Sequence, residues 1–197
     1  MTHAASFRHQ FRSGGFYELG IEVGSTDDIG LQAVLSAVWA AAGVQGCYGH
    51  GDREPEEQEV VPCTVASLEE FGHLHGRVRL PSGDLVACGV MAARGGDDSS
   101  DDSSDWLDFY VPDSALDAVG VPYWDGRSFY RSALIDDWLA AIATEAFRSA
   151  PFSCAAVGWE VSGSVDAASL AGELPEKRGV GYLVPRDGVL RYGPAND

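Results

Sequence analysis

A period-two alternation of apolar and polar positions begins at Phe16. Tyr17, Leu19, Ile21 and Val23 fall on one side and Glu18, Gly20 and Glu22 on the other, the pattern of a half-buried strand. Ser25 then predicts a helix cap, with Asp28 at the reciprocal capping-box position and Asp27 favourable in the first turn. Leu31, Val34, Leu35, Val38, Trp39 and Ala42 follow at helical spacing until Gly43. Residues 44–48 and 60–65 read as short strands, Pro62 confining the second to an edge, with 49–59 a polar loop between them. Leu74, Val78 and Leu80 alternate with His73, His75, Arg77 and Arg79 ahead of Pro81-Ser82-Gly83-Asp84. A two-residue loop at Ser82-Gly83 predicts that Leu80 faces Leu85, Val78 faces Ala87 and Leu74 faces Met91. Residues 106–111 read as a strand ended by Pro112, with Asp113 or Ser114 capping a short helical turn. A second helical stripe runs through Leu134, Ile135, Trp138, Leu139, Ile142, Ala146 and Phe147 and stops before Pro151. Strands at 152–161, 179–184 and 189–192 complete the series, the last two as a hairpin around Arg186-Asp187-Gly188.

These elements predict an α+β fold, a largely antiparallel mixed sheet with two main helices packed on one face. Residues 1–15 read as an irregular lead-in and 16–197 as one globular domain. The acidic, Gly/Ser-rich stretch at 95–105 lacks the apolar content to order itself and reads as a flexible loop between two halves. An echo between Gly20-Ile21-Glu22-Val23 and Gly158-Trp159-Glu160-Val161 suggests a duplicated strand-helix-strand-strand plan.

Charge changes the picture. The 197 residues include 30 acidic against 13 basic side chains, a formal net charge of −17, with Lys177 the only lysine. Affinity for phosphates rests on basic counter-charge, so nucleic acids and anionic membranes are excluded as expected partners. No apolar run nears the ~20 residues that span a bilayer, and the first residues lack a basic stretch followed by an apolar one. Cys47, Cys63, Cys88 and Cys154 form no CxxC pair and read as reduced thiols of a cytoplasmic protein.

Three constellations are candidates for chemistry. His73 and His75 share a strand face, and the expected hairpin brings Cys88 onto that face, an incomplete metal set. With Arg77 and Arg79 the histidines form a positive strip for an anion or a partner, while cross-strand pairing to Asp108 is the ordinary alternative. Glu22 and Glu160 would converge on a shared cleft if the two halves are related, with carboxyl pKa values split as in an acid–base pair. Gly20 and Gly158 would leave that face open to a small molecule, edged by Trp106, Tyr110, Tyr123, Trp124 and Tyr130. The nucleophile elbow and the Gly-rich phosphate loops are absent, so no catalytic residue is assigned and no cofactor is expected. The expected function is a non-catalytic acidic domain that binds a basic protein, as an immunity protein does. A small-molecule sensor built on Glu22 and Glu160, or a carboxylate-dependent enzyme, are the alternatives.

Overall fold

The computed structural model describes residues 3–9, 14–95, 104–121 and 131–197. Eight strands form one sheet: β1 (Phe16–Glu22), β2 (Gln45–Tyr48), β3 (His73–Arg79), β4 (Leu85–Ala93), β5 (Trp106–Pro112), β6 (Cys154–Trp159), β7 (Gly181–Arg186) and β8 (Val189–Gly193). Their order is β2-β3-β4-β5-β1-β6-β7-β8, and every neighbouring pair is antiparallel. The helices are α1 (Asp28–Ala41), α2 (Val65–Phe71), α3 (Asp113–Ala118), α4 (Ala133–Ser149) and α5 (Ala167–Leu170). The α+β expectation with two main helices on the sheet is met. Among the described residues, no helix is long and apolar enough to cross a membrane.

Topology explains why both long helices share a face. Strict alternation of direction makes β1 parallel to β2 and β5 parallel to β6, so β1-α1-β2 and β5-α4-β6 are crossover connections. They set out in opposite directions across the sheet, from strands that themselves run oppositely. Right-handedness of both crossovers therefore carries α1 and α4 to the same side. There α1 contributes Leu31, Val34, Leu35 and Val38, and α4 contributes Ile135, Leu139, Ile142 and Ala146. They pack on Tyr17, Leu19 and Ile21 of β1, Leu107, Phe109 and Val111 of β5, and Val86, Cys88 and Val90 of β4. Each such aliphatic or aromatic side chain contributes about 1.5–3 kcal/mol by leaving water. A polar tie is sealed into this layer: Tyr17 Oη donates to Asp136 Oδ1 (2.6 Å) and accepts from Ser132 N–H (2.8 Å), joining the start of α4 to β1.

Apart from the extra short helix α3 ahead of α4, the order strand-helix-strand-short helix-strand-strand recurs in each half, but the sheet does not repeat. β2-β3-β4 steps inward toward β5, whereas β6-β7-β8 steps outward from β1. The matching segments around Glu22 and Glu160 lie on β1 and at the end of β6, which are antiparallel neighbours.

Local structure departs from the sequence pattern at four places. The α1 cap is Asp27, whose side chain accepts from Gly30 N–H (2.7 Å), rather than Ser25. Residues 60–64 form no strand, and Thr64 caps α2, its hydroxyl accepting from Ser67 N–H (3.2 Å). Within the stretch read as an irregular lead-in, residues 3–9 make two 3-10 turns that bury Ala4, Ala5 and Phe7.

The fourth departure is the β3–β4 register. Leu80 N–H donates to the Asp84 carbonyl (2.9 Å) and Gly83 N–H to the Leu80 carbonyl (2.8 Å), with Gly83 at φ +94°. That is a three-residue loop, a turn followed by a glycine bulge, not the two-residue loop expected. Arg79 thus pairs with Leu85, Val78 with Val86 and Leu74 with Val90. A one-residue slip exchanges the faces of a strand. Leu80 and Leu85 therefore lie on opposite sides, and Cys88 points into the core opposite Gly76. Nothing lies within 4 Å of where a Cβ on Gly83 would sit, so its requirement is purely conformational. Gly83→Ala is expected to lower the unfolding free energy by about 1 kcal/mol. Urea unfolding measures it, and an unchanged or raised stability would contradict the bulged loop.

Candidate functional site

The sheet's second face holds the polar side chains. On β1, Glu18, Gly20 and Glu22 point away from the helices, and the pairing sets their neighbours: Glu18 beside Tyr110 and Gly158, Gly20 beside Asp108 and Ala156, Glu22 beside Trp106 and Cys154. Because β1 is central, these positions are not wet. Glu18 and Asp108 are each only 2% exposed. A Cβ on Gly20 would lie 3.1 Å from Asp108 Oδ1 and 3.6 Å from Ser162 Cα, so the glycine admits both the carboxylate and the turn that follows β6. Ser162 then lies over the pair, its N–H donating to Glu18 Oε1 (2.7 Å) and its hydroxyl to Asp108 Oδ2 (2.8 Å). Glu22 holds the same loop further along, accepting from Ala167 N–H (2.6 Å) and Cys154 Sγ (3.3 Å).

Burial pushes the Glu18 carboxyl up to about 7, against the Ser162 N–H bond and with help from the Asp108 and Glu160 charges. It pushes Asp108 up to about 6, opposed by the Ser162 hydroxyl. Asp108 Oδ1 is enclosed with no hydrogen-bond partner among the described residues. Two buried carboxyls that exchange protons near neutrality have the electrostatics of an acid–base site. Their enclosure makes the coupling one to folding.

The second polar patch lies on β3 and β5. Tyr110 leans over Gly89, where a Cβ would meet its Oη at 2.4 Å, and reaches His73 Nδ1 at 2.9 Å. The His73 and His75 rings stack 6.0 Å apart, and Phe7 of the first turns lies 5.9 Å from His75. Burial lowers both imidazole pKa values, His75 to about 4 with a smaller contribution from His73, so the histidines add little positive charge at neutrality. Arg77 Nε donates to the Ala5 carbonyl (2.9 Å), and its guanidinium pairs with Glu54 (3.6 Å) and Glu56 (3.2 Å). Burial alone would raise the Glu54 carboxyl, but bonds from Ser6 and the Phe7 and Arg8 amides, with the Arg77 charge, hold it below its ordinary value. Arg79 is exposed and donates to the Gly83 carbonyl (2.6 Å). In the expected positive strip the histidines are therefore largely neutral, Arg77 is paired with Glu54 and Glu56, Arg79 stands exposed, and Asp108 bonds Ser162 instead.

The other candidates are likewise rearranged. Glu22 sits opposite Cys154, while Glu160 N–H donates to the Phe16 carbonyl (3.0 Å) beyond the far end of the same strand. The run from Phe16 to Glu22 keeps the two apart by about 20 Å at 3.3 Å per residue, so they share no cleft and form no acid–base pair. The surface expected above Gly20 and Gly158 is filled by Asp108 and Ser162 at the first and by Val161 and Val180 at the second. Trp106 and Tyr110 do lie on the glutamate face, Trp106 beside Glu22 and Tyr110 beside Glu18. Tyr123, Trp124 and Tyr130 lie outside the described residues. Cys88 is separated from His73 and His75 by the thickness of the sheet, and among the described residues no three His, Cys, Asp or Glu side chains group to hold a metal.

The sequence pattern assigns no role to Glu18, offers Ser162 only as a serine after a strand without a nucleophile elbow, and offers Asp108 only as a partner for arginines. The available signal was Gly20 between two glutamates of one strand face, the mark of a close approach by another chain segment. Comparison with protein-family models, curated proteins and solved structures found no match to the chain.

The raised carboxyl values set a sign. Folded Glu18 and Asp108 hold protons that the unfolded chain, with ordinary values of 4.5 and 3.8, has released. Their stability contribution is full below those values and is lost as pH rises through 6 and 7. Unfolding free energy is expected to fall by about 3 kcal/mol between roughly pH 4.5 and pH 8 on account of Glu18 alone. Glu18→Gln keeps an acceptor for Ser162 and should remove most of that slope. Urea titrations of wild type and Glu18→Gln across pH check it; a slope that is the same in both would contradict the assignment.

Proposed function

We propose that the chain is a non-catalytic, acidic protein-binding domain for a basic partner, acting as an immunity protein does when it covers a basic enzyme's cleft. The observation that carries this reading is the placement of its charges. Several arginines are taken up locally, Arg8 by Glu57, Arg94 by Asp28, Glu69 and Asp105, Arg148 by Glu145, and Arg186 by Glu173. Among the described residues, Asp52, Glu59, Glu70, Asp84, Asp117 and Glu176 remain as exposed carboxylates without an ion pair. Such a surplus attracts a cationic surface at long range and speeds its association.

Contact area is available as well. A shallow groove of about 500 Å³ runs between α1 and α2, lined by Ile29, Ala33, Val65 and Ala66 with Asp28 at its edge. Ile29 is 83% exposed, and Glu69 and Glu70 stand exposed on α2. The same groove carries Gln32, Ser36 and Thr64 beside its apolar residues, and apolar area bordered by polar side chains is the anatomy of a protein interface. The carboxyls that titrate nearest neutrality, Glu18, Asp108 and Asp136, are all enclosed, which supports a role for them in folding rather than in turnover.

Affinity capture on the folded chain, followed by titration of the purified captured protein, tests the reading. A basic protein is expected, with affinity falling at least about tenfold as ionic strength rises from roughly 0.05 M to roughly 0.5 M. Ile29→Asp is expected to weaken binding while leaving the unfolding midpoint unchanged. Recovery of no basic protein on a stably folded bait, or an affinity indifferent to salt, would sink the proposal.

A further inference from the structure

His73 and His75 stand side by side on β3, their rings within 6° of parallel and 6.0 Å apart. Phe7 closes over the pair. Its ring lies 5.9 Å from that of His75 and meets Tyr48, the β2 partner of His75, edge to face at 5.7 Å. His75 is left only 3% exposed. Every element around the pair but one belongs to the sheet or its adjoining turn. The exception is residues 3–9, two three-residue turns held by bonds from Ser6 and Phe7 N–H to Glu54, by the Arg77–Ala5 bond and by the Phe7 ring. Short cover of this kind opens more readily than the strands beneath it.

We propose that the histidine pair is an acid-operated latch: protonation beneath Phe7 releases residues 3–9 from the sheet while the sheet itself stays folded. An imidazolium needs water or a counter-charge, and the cover withholds the water. Among the described residues, the groups that bear on the pair come from several sides. The turn after β2 carries His50, which disfavours a proton on His75, and Asp52, which favours one. β3 carries Arg77, its guanidinium 5.7 Å from the Phe7 ring and paired with Glu54 and Glu56. The first turns carry Arg8, paired with Glu57 and bonded to the Asp52 carbonyl. β5 contributes the Tyr110 hydroxyl on His73, and β4 offers Gly89 and Met91 opposite the pair, neither of which titrates. Burial outweighs Asp52, so closed His75 protonates near 4, against 6.5 when open, and burial lowers His73 too. The open form therefore takes up protons that the closed form excludes. Opening is favoured as pH falls from 6.5 toward 4, by about tenfold per pH unit for His75. Glu54 is held below its ordinary value, so the rings titrate before that tie is lost. The sign is opposite to that of Glu18 and Asp108, whose protonation steadies the fold.

Hydrogen exchange on the full chain, read by mass spectrometry as protection relative to the unfolded chain at each pH, tests the latch. Protection of residues 3–9 should fall about tenfold per unit between roughly pH 6 and pH 4.5, while β1 and β5 lose none. His75→Gln, neutral throughout, should remove most of that fall. A second variant works from the other side, by reciprocity. Phe7→Ala thins the cover, so the His75 ring, followed by NMR titration, should protonate closer to 6.5 than in wild type. The proposal is overturned by protection of residues 3–9 that ignores pH, or that is lost in step with β1 and β5. It is equally overturned by a slope that persists in His75→Gln, or by a His75 midpoint that Phe7→Ala leaves in place.

Discussion

β1 has no wet face, and the rest of the molecule is arranged around that constraint. From Tyr17 to Glu22 every residue is buried, yet alternate positions are carboxylates or glycine. Enclosing a carboxylate costs several kcal/mol unless hydrogen bonds replace its water. For Glu18 and Glu22 the replacements are main-chain N–H groups of Ser162 and Ala167, on one loop leaving β6. The loop must cross the sheet where it does, because only there can it supply those donors. Once there, Val161 and Val165 close over Cys154 and Ala156 in a second, smaller apolar cluster.

The two faces are thus held by different physics. On the helix side, apolar area does the holding, and the buried bonds of Tyr17 to Asp136 and Ser132 set where α4 begins. On the other side no long helix is present among the described residues, and cover comes from short pieces tied by polar contacts. The first turns are tied through Arg77, Glu54 and the Phe7 ring, and the loop after β6 through Glu18, Asp108 and Glu22. Polar ties carry protons, so the second face is where stability depends on pH.

How much of this was legible in the sequence follows from how many alternatives each pattern allowed. The stripes of α1 and α4 allow one reading, since no strand buries Leu31, Val34, Leu35 and Val38 on a single face. β4 allowed two. Val86, Cys88 and Val90 and the opposite set Ala87, Gly89 and Met91 are both apolar or small, so alternation could not choose a register, and the glycine bulge at Gly83 did. The seven residues of α2 are too few for a stripe, and their cap signals, Thr64 and Gly72, carried the only information. The pairing of Glu22 with Glu160 failed for a geometric reason: similar segments in antiparallel neighbours put their equivalent residues at opposite ends. Convergence of Glu18, Asp108 and Ser162 is a long-range property of strand order, which no local pattern contains.

The formal charge of −17 conceals two populations of acidic side chain. Glu18, Glu22, Asp105, Asp108, Asp113 and Asp136 are buried, and burial raises the carboxyl values of Glu18, Asp108 and Asp136 to between about 6 and about 7. Near neutrality these groups are partly protonated, so the folded chain is less negative than its composition implies. What an approaching molecule senses comes instead from exposed carboxylates such as Asp52, Glu59 and Glu70, whose field decays over the ~10 Å screening length of moderate salt. Mild acidification would complete the protonation of Glu18, Asp108 and Asp136, a change inside the fold rather than at its surface. Attraction for a basic surface and the pH dependence of folding are therefore separable properties of one acidic chain, carried by different residues.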